Sequence, residues 1–295
     1  MRILLASDGS EYSERAARFL TCFDLSPEDE ITIFHSLSCL PFLHYTESYN
    51  NTIKEIKRDI APRILDSALD ILKPMRAKIS TAIVEGVAEQ SITEVASESA
   101  VDLIVIGARG IKGTKSLIIG SVTKSVAIRS PVPVLVIKEQ TFKDSRKVKI
   151  LFSADGSDEC AEAGEFLCKV PLDGEAEITA LNVIWSDFSD IPERFVMEIN
   201  ERIKDLMAEK RSEEFTESER ILKNSRKSLS KKFGNVHVMT RIGDPSAEIL
   251  RTADAIHADI IAVGCRRIRG MMGSVSKNIL THSKCSVLIG RACKE

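Results

Sequence analysis

The sequence predicts an α/β protein built from two copies of one doubly wound unit. Three observations carry that prediction. Short apolar runs rich in β-branched residues alternate with helical stretches along the whole chain. Three blocks recur in the same order: Asp8-Gly9-Ser10 as Asp155-Gly156-Ser157 at a spacing of 147, VDLIVIGAR (101–109) as ADIIAVGCR (258–266) at 157, and IIGSVTKS (118–125) as MMGSVSKN (271–278) at 153. The run 101–106 is apolar at nearly every position, as in a parallel strand covered on both faces. These features divide the chain into domains 1–141 and 148–295, joined by a polar linker.

The elements follow in order. Residues 2–7 (RILLAS) form a strand that ends at Asp8-Gly9-Ser10, where Ser10 is placed to cap a helix. Ala16, Ala17, Phe19, Leu20 and Phe23 make that helix's apolar side. A second strand spans 30–36 (EITIFHS). A polar, aromatic-bearing connection over 41–51 leads into a helix ending near Leu72. The third strand is 77–84, followed by Gly86 and a helix to about Ser99. After the fourth strand, 101–106, come a Gly-rich segment, a helix from Ser121 to about Arg129, and a closing strand at 133–138. The second copy opens with a strand over 148–155 and closes with one over 286–289. It gains ten residues between its first and third strands, where 192–233 forms a long charged helical stretch with a solvated face. Four residues are lost inside its Gly-rich segment.

Composition sets limits on function. The 295 residues suit two domains of ordinary size, and 43% hydrophobic with 28% charged residues excludes general disorder. A formal net charge of −2 gives no basic bias toward nucleic acid. No apolar run reaches the roughly 18 residues of a membrane span, and the run 3–6 is too short for a signal peptide, so a cytoplasmic protein is expected. The seven cysteines are scattered without a C-x-x-C pair, and the five histidines are equally dispersed. No metal site and no disulfide framework are assigned.

The chemistry concentrates in 107–122, GARGIKGTKSLIIGSV, between a buried strand and a helix. Glycines there tolerate positive φ and let a ligand approach the backbone, and the helix start at Ser121-Val122-Thr123 offers N–H groups and hydroxyls. Ligands of open α/β sheets sit beyond the C-terminal strand ends, which places Asp8 beside the segment if the first and fourth strands are neighbours. Together these features point to phosphate binding. A Walker A loop is absent, and the first strand is followed by SDGSEYS rather than a G-x-G-x-x-G fingerprint.

The run Gly107-x2-Gly110-x9-Gly120-Ser121, after an early Asp and ahead of a Pro-Val-x-Val strand, resembles the ATP-binding class of universal stress proteins. The resemblance spans the chain as two tandem copies. It implies Rossmann-like (adenine nucleotide alpha hydrolase-like) domains, each a five-stranded parallel sheet of order 3-2-1-4-5 with helices on both faces. It also implies ATP or AMP as ligand. Carried over, Ala6, Ser7 and Asp8 would lie near base and ribose, with Ser36 at the adenine. Ile106, Gly107, Arg109 and Gly110 would line ribose and phosphates, and Gly120, Ser121, Val122 and Thr123 would hold the phosphates. Pro or Val often stands in the family where this chain has Ala6 and Ser36.

The second set would be Ser153, Ala154, Asp155, Val183, Val263, Gly264, Arg266, Gly273, Ser274, Val275 and Ser276. There Arg267 replaces the second glycine, and five residues instead of nine precede Gly273. An arginine takes positive φ only at a cost, so a weaker site, or one preferring AMP, is expected. Arg266, Arg267 and Arg269 could offset the loss with charge.

Two functional classes follow. One is a regulatory nucleotide binder without catalytic residues. The other is a slow ATPase or nucleotidyl-transfer enzyme in which Asp8 or Asp155 positions Mg2+. A binder of another anionic or adenine-bearing ligand, such as a flavin or coenzyme, is a third. The resemblance further implies that the last strands pair antiparallel, an intrachain copy of a dimer, and the sequence leaves a homodimer of the whole chain undecided.

Overall fold

The computed structural model describes residues 1–38, 47–111, 119–138, 147–172, 175–185, 201–268 and 271–290. Ten strands join in one sheet. In the N-terminal half β1 (Arg2–Ala6) lies between β2 (Glu30–Leu37) and β4 (Leu103–Gly107), with β3 (Lys78–Glu85) beyond β2 and β5 (Val134–Ile137) beyond β4, all parallel. The C-terminal half repeats this around β6 (Lys149–Ser153). Its neighbours are β7 (Glu177–Ile184) and β9 (Ile260–Gly264), flanked by β8 (Asn235–Ile242) and β12 (Ser286–Gly290). The full order is β3-β2-β1-β4-β5-β12-β9-β6-β7-β8. A two-stranded hairpin, β10 (Arg267–Ile268) and β11 (Met271–Met272), stands apart.

Strand alternation sends side chains into two cores. Ile3, Leu5, Leu103 and Val105 join the core under α1 (Glu11–Leu20), α2 (Glu47–Leu72), α5 (Asp158–Lys169) and α6 (Glu201–Leu229). Leu4, Ala6, Ile104 and Ile106 join the other, under α3 (Ala88–Glu98), α4 (Ser121–Arg129), α7 (Pro245–Ile256) and α8 (Ser274–His282). Every residue of β4 is buried, which explains its unbroken apolar run. The two Asp-Gly-Ser blocks are helix starts: Gly9 and Gly156 take φ of 76° and 79°, and Ser10 and Ser157 accept from the N–H groups of Ser13 and Cys160. The expected connection over 41–51 is shorter than predicted, because α2 already begins at Glu47, and 39–46 lie outside the described residues. Of the long charged stretch, 192–200 likewise lie outside, while α6 is largely exposed before Ser218 and buries Ile221, Leu222 and Leu229. Among the described residues, no helix is long and apolar enough to cross a membrane.

The halves meet where β5 and β12 pair antiparallel, Leu135 opposite Leu288 with Val134 opposite Ile289 and Val136 opposite Val287. Equivalent leucines facing each other place a local two-fold axis at that pair. Near it, the Asp24 N–H donates to the Pro171 carbonyl at 2.8 Å. Lys138, only 7% exposed, crosses from β5 to the end of α8, where its Nζ donates to Leu280 O (2.8 Å), Ser283 O (2.6 Å) and Ser283 Oγ (2.9 Å). An ammonium there satisfies the last carbonyls of a helix.

Burial pushes the Lys138 ammonium down to about 8, with the Arg109 charge adding to the effect and Cys285 opposing it. The unfolded chain therefore holds this proton, and the folded one has lost it, between about 8 and the ordinary lysine value of 10.5. Stability from this group rises with pH through that window. Burial pushes the thiols of Cys160 and Cys285 up to about 11 and about 12, from an ordinary 9.0, so their contribution falls above that value. Thermal unfolding is expected to show stability climbing from about pH 8 to about pH 9 and declining beyond. The Lys138→Met variant, followed by the same melts, should lose the climb.

Candidate functional site

The C-terminal ends of β1, β2 and β4 and the N-terminus of α4 surround a cavity of about 440 Å3. Its lining includes all twelve residues expected for the first copy: Ala6, Ser7, Asp8, Ser36, Ile106, Gly107, Arg109, Gly110, Gly120, Ser121, Val122 and Thr123. Sequence reasoning missed Ser13, Phe34, His35, Ser38, Ala88, Ile92 and Ile111. Ala88 and Ile92 are four apart on α3 and share a helical face, a spacing that was there to be read. Residues 112–118, the middle of the Gly-rich segment with Gly113, lie outside the described residues.

Hydrogen bonds hold the walls in place. The Ser7 N–H donates to Phe34 O at 2.9 Å, and His35 Nδ1 donates back to Ser7 O at 2.8 Å. That ring nitrogen therefore meets the Ser7 carbonyl and not its hydroxyl. The Asp8 carboxylate joins two segments: Oδ1 accepts the Ser10 N–H at 3.0 Å, and Oδ2 accepts the Ile111 N–H at 3.1 Å. At the far wall, Gly120 is the N-cap of α4 and its N–H donates to Ala108 O at 2.9 Å. The first bond of α4 runs from Lys124 N–H to Gly120 O. The N–H groups of Ser121, Val122 and Thr123 therefore have no intrahelical acceptor, and they give this wall the positive end of the helix dipole.

Three expectations need correction. First, the described glycines of the segment do not adopt positive φ; among the described residues, the glycines that do are Gly9, Gly156 and Gly243. Gly107, Gly110 and Gly120 matter for the absence of a Cβ. A Cβ on Gly107 would sit 2.7 Å from the Tyr12 backbone of α1, and one on Gly110 would sit 2.4 Å from Asp8 Oδ2. On Gly120 it would meet the described residues only at ordinary contact, 3.5 Å from Arg109 Cα. Second, Arg267 is therefore not disfavoured by φ at the position of Gly110; it replaces a residue whose Cβ would strike an aspartate. Third, the Thr123 hydroxyl is not offered to a phosphate. It is buried and donates to Gly107 O at 2.7 Å, pinning α4 to β4.

Asp8 is a single carboxylate with both oxygens engaged by backbone N–H groups. Among the described residues, no three His, Cys, Asp or Glu side chains gather as metal ligands. Asp8 alone could hold Mg2+ only together with phosphate oxygens of a bound nucleotide.

Comparison with known proteins gives the layout a family. The family model described as "Universal stress protein family" matches residues 1–138 and again 148–291. The chain belongs to the universal stress protein family. A universal stress protein of Methanocaldococcus jannaschii is 24% identical over 154 residues, covering 47% of this chain and 95% of that protein. The universal stress protein YxiE of Bacillus subtilis is 28% identical over 149 residues, covering 46% and 98%. The crystal structure of a universal stress protein from Archaeoglobus fulgidus shares the fold, with a TM-score of 0.66, 20% identity and 98% of each chain covered.

The second half of this universal stress protein keeps the layout and changes the loop. Ser153 ends β6 with Ala154 and Asp155 after it, Val183 lies in β7, Val263 and Gly264 end β9, and Ser274, Val275 and Ser276 start α8 behind the Gly273 N-cap. Asn182 Nδ2 donates to Ala154 O at 2.6 Å, as His35 does to Ser7 O. Ser276 Oγ donates to Gly264 O at 2.9 Å, the counterpart of Thr123. Between Arg266 and Gly273, however, the β10–β11 hairpin replaces the long segment, and Met272 is buried in the core. Asp155 Oδ1 accepts from the Ser157 N–H and hydroxyl, within its own turn. Among the described residues, no bond from Asp155 repeats the one from Asp8 to Ile111. A cavity of about 160 Å3 in this half lies between α5 and α6 beside Gly164 and Ser225.

Proposed function

We propose that domain 1–141 binds an adenine nucleotide, ATP or AMP, and that the protein serves the stress response through that occupancy rather than through turnover. The observation that carries this reading is one cavity that joins an apolar end to an anion-attracting end. Ala6, Phe34, Ile92 and Ile106 supply surface for a base, while Arg109 and the first turn of α4 face the phosphates. Its size, about 440 Å3, falls in the range of small-molecule sites. In domain 148–295 the segment is four residues shorter and pairs with itself as a hairpin, leaving fewer N–H groups for phosphates, so the second site takes nucleotide weakly or not at all. Adenine is the ligand class to test first, and the cytoplasm the compartment in which it is abundant.

Calorimetric titration with ATP and AMP, with mass spectrometry of ligand released from the denatured protein, tests this. One intact nucleotide per chain is the expected result, unchanged after hours with Mg2+. Absence of any bound or titratable nucleotide would overturn the reading. Steady hydrolysis lost in Asp8→Ala would favour the enzyme instead.

A further inference from the structure

Tyr12, in the first turn of α1, stands between two guanidinium groups. The Cζ atoms of Arg15 and Arg109 each lie 5.2 Å from its ring centroid, and Arg109 Nη1 donates to the Tyr12 hydroxyl at 2.8 Å. Arg109 lines the cavity beside Gly110 and Gly120, whereas Tyr12 is behind it. The Tyr12 backbone has little freedom, because the bare Cα of Gly107 packs against it so closely that a Cβ would come within 2.7 Å. Strand β4 thus fixes α1, α1 fixes the phenol, and the phenol fixes the arginine. An arginine side chain loses much rotamer freedom when it is fixed against a ligand. Tethering it before a ligand arrives removes part of that cost from binding.

We propose that Tyr12 is a positioning residue that holds Arg109 for the phosphates, and so makes this cavity select charged nucleotides over the uncharged nucleoside. This deepens the nucleotide reading above and rests on it.

The second half provides an internal contrast. Gly264 packs against the backbone of Glu159, 2.8 Å from where its Cβ would be, just as Gly107 packs against Tyr12. Glu159 therefore occupies the position of Tyr12, and three residues on, Glu162 occupies that of Arg15. The equivalent of Arg109 is Arg266. At the equivalent sequence positions a phenol and a guanidinium have become two carboxylates, whose charge opposes a phosphate.

The test is calorimetric titration of ATP, AMP and adenosine into the full chain, its Tyr12→Phe and Arg109→Ala variants, and the double variant. Tyr12→Phe keeps the ring and removes the tether. ATP affinity should fall about fivefold to tenfold as the arginine loses its pre-ordering, while adenosine affinity stays unchanged. In the Arg109→Ala background the same change should have no further effect on ATP. Equal losses for ATP and adenosine would mean a merely structural tyrosine and overturn the proposal. So would ATP affinity within about twofold of wild type. Failure of the unmodified chain to bind any of the three ligands would instead remove the nucleotide reading, and this proposal with it.

Discussion

Gly107→Ala should lower the melting temperature by about 5–10 °C, the effect of about 2–3 kcal/mol of overpacking. Its new Cβ would meet the Tyr12 carbonyl carbon and oxygen at 2.7 Å, and backbone atoms in a helix cannot swing aside as a side-chain tip does. Either β4 or α1 must move. The same substitution at Gly264 meets the Cys160 nitrogen and the Glu159 carbonyl at 2.8 Å and should cost as much stability. The two variants should part company in titrations. Gly107→Ala displaces a cavity wall and weakens nucleotide binding by more than about tenfold, and Gly264→Ala leaves it intact. Differential scanning calorimetry and titration of both variants check the pair. An unshifted melting temperature for Gly107→Ala would show that α1 is not packed as described.

The second large effect is expected at Gly120, where stability and binding should separate. Gly120 has φ −63° and ψ 150°, an ordinary cap conformation, and among the described residues an added Cβ meets no atom closer than 3.5 Å. Aspartate is a preferred N-cap residue, so Gly120→Asp should hold or slightly raise the melting temperature. Its carboxylate would also occupy the wall that faces the phosphates and satisfy the very N–H groups they need. ATP affinity should drop about a hundredfold, near 2.7 kcal/mol. Gly120→Ser, which caps without charge, should lie between. Full ATP binding by Gly120→Asp would place the phosphates away from the start of α4.

Much of this architecture was readable because short-range chemistry determined it. Ser10 and Ser157 cap their helices as Asp-Gly-Ser suggests, and the apolar run of β4 is buried throughout. The twelve first-copy positions share one cavity because their spacing along the chain reflects their order around strand ends. What escaped was set by contacts remote in sequence. The need for glycine at 107 comes from the backbone of a helix about ninety-five residues earlier, and no local pattern announces it. The bond from Arg109 to Tyr12 spans 97 residues. The deletion in the second loop was visible, but its outcome as a hairpin with Met272 in the core was not. The reach of Lys138 across the junction into the end of α8 was equally hidden, since an isolated lysine reads as a surface residue.

The antiparallel seam of β5 against β12 has a consequence for inheritance as well as for shape. Two identical subunits meeting at such a seam must carry identical sites, since any substitution in one appears in the other. Joined in a single chain, the partners meet at fixed one-to-one proportion whatever the cellular concentration. Each can then drift separately. The leucine pair at the centre still obeys the old symmetry, while Tyr12 and Glu159, a few ångströms from equivalent glycines, no longer do. One half is free to specialise in holding a ligand, and the other in whatever responds to it.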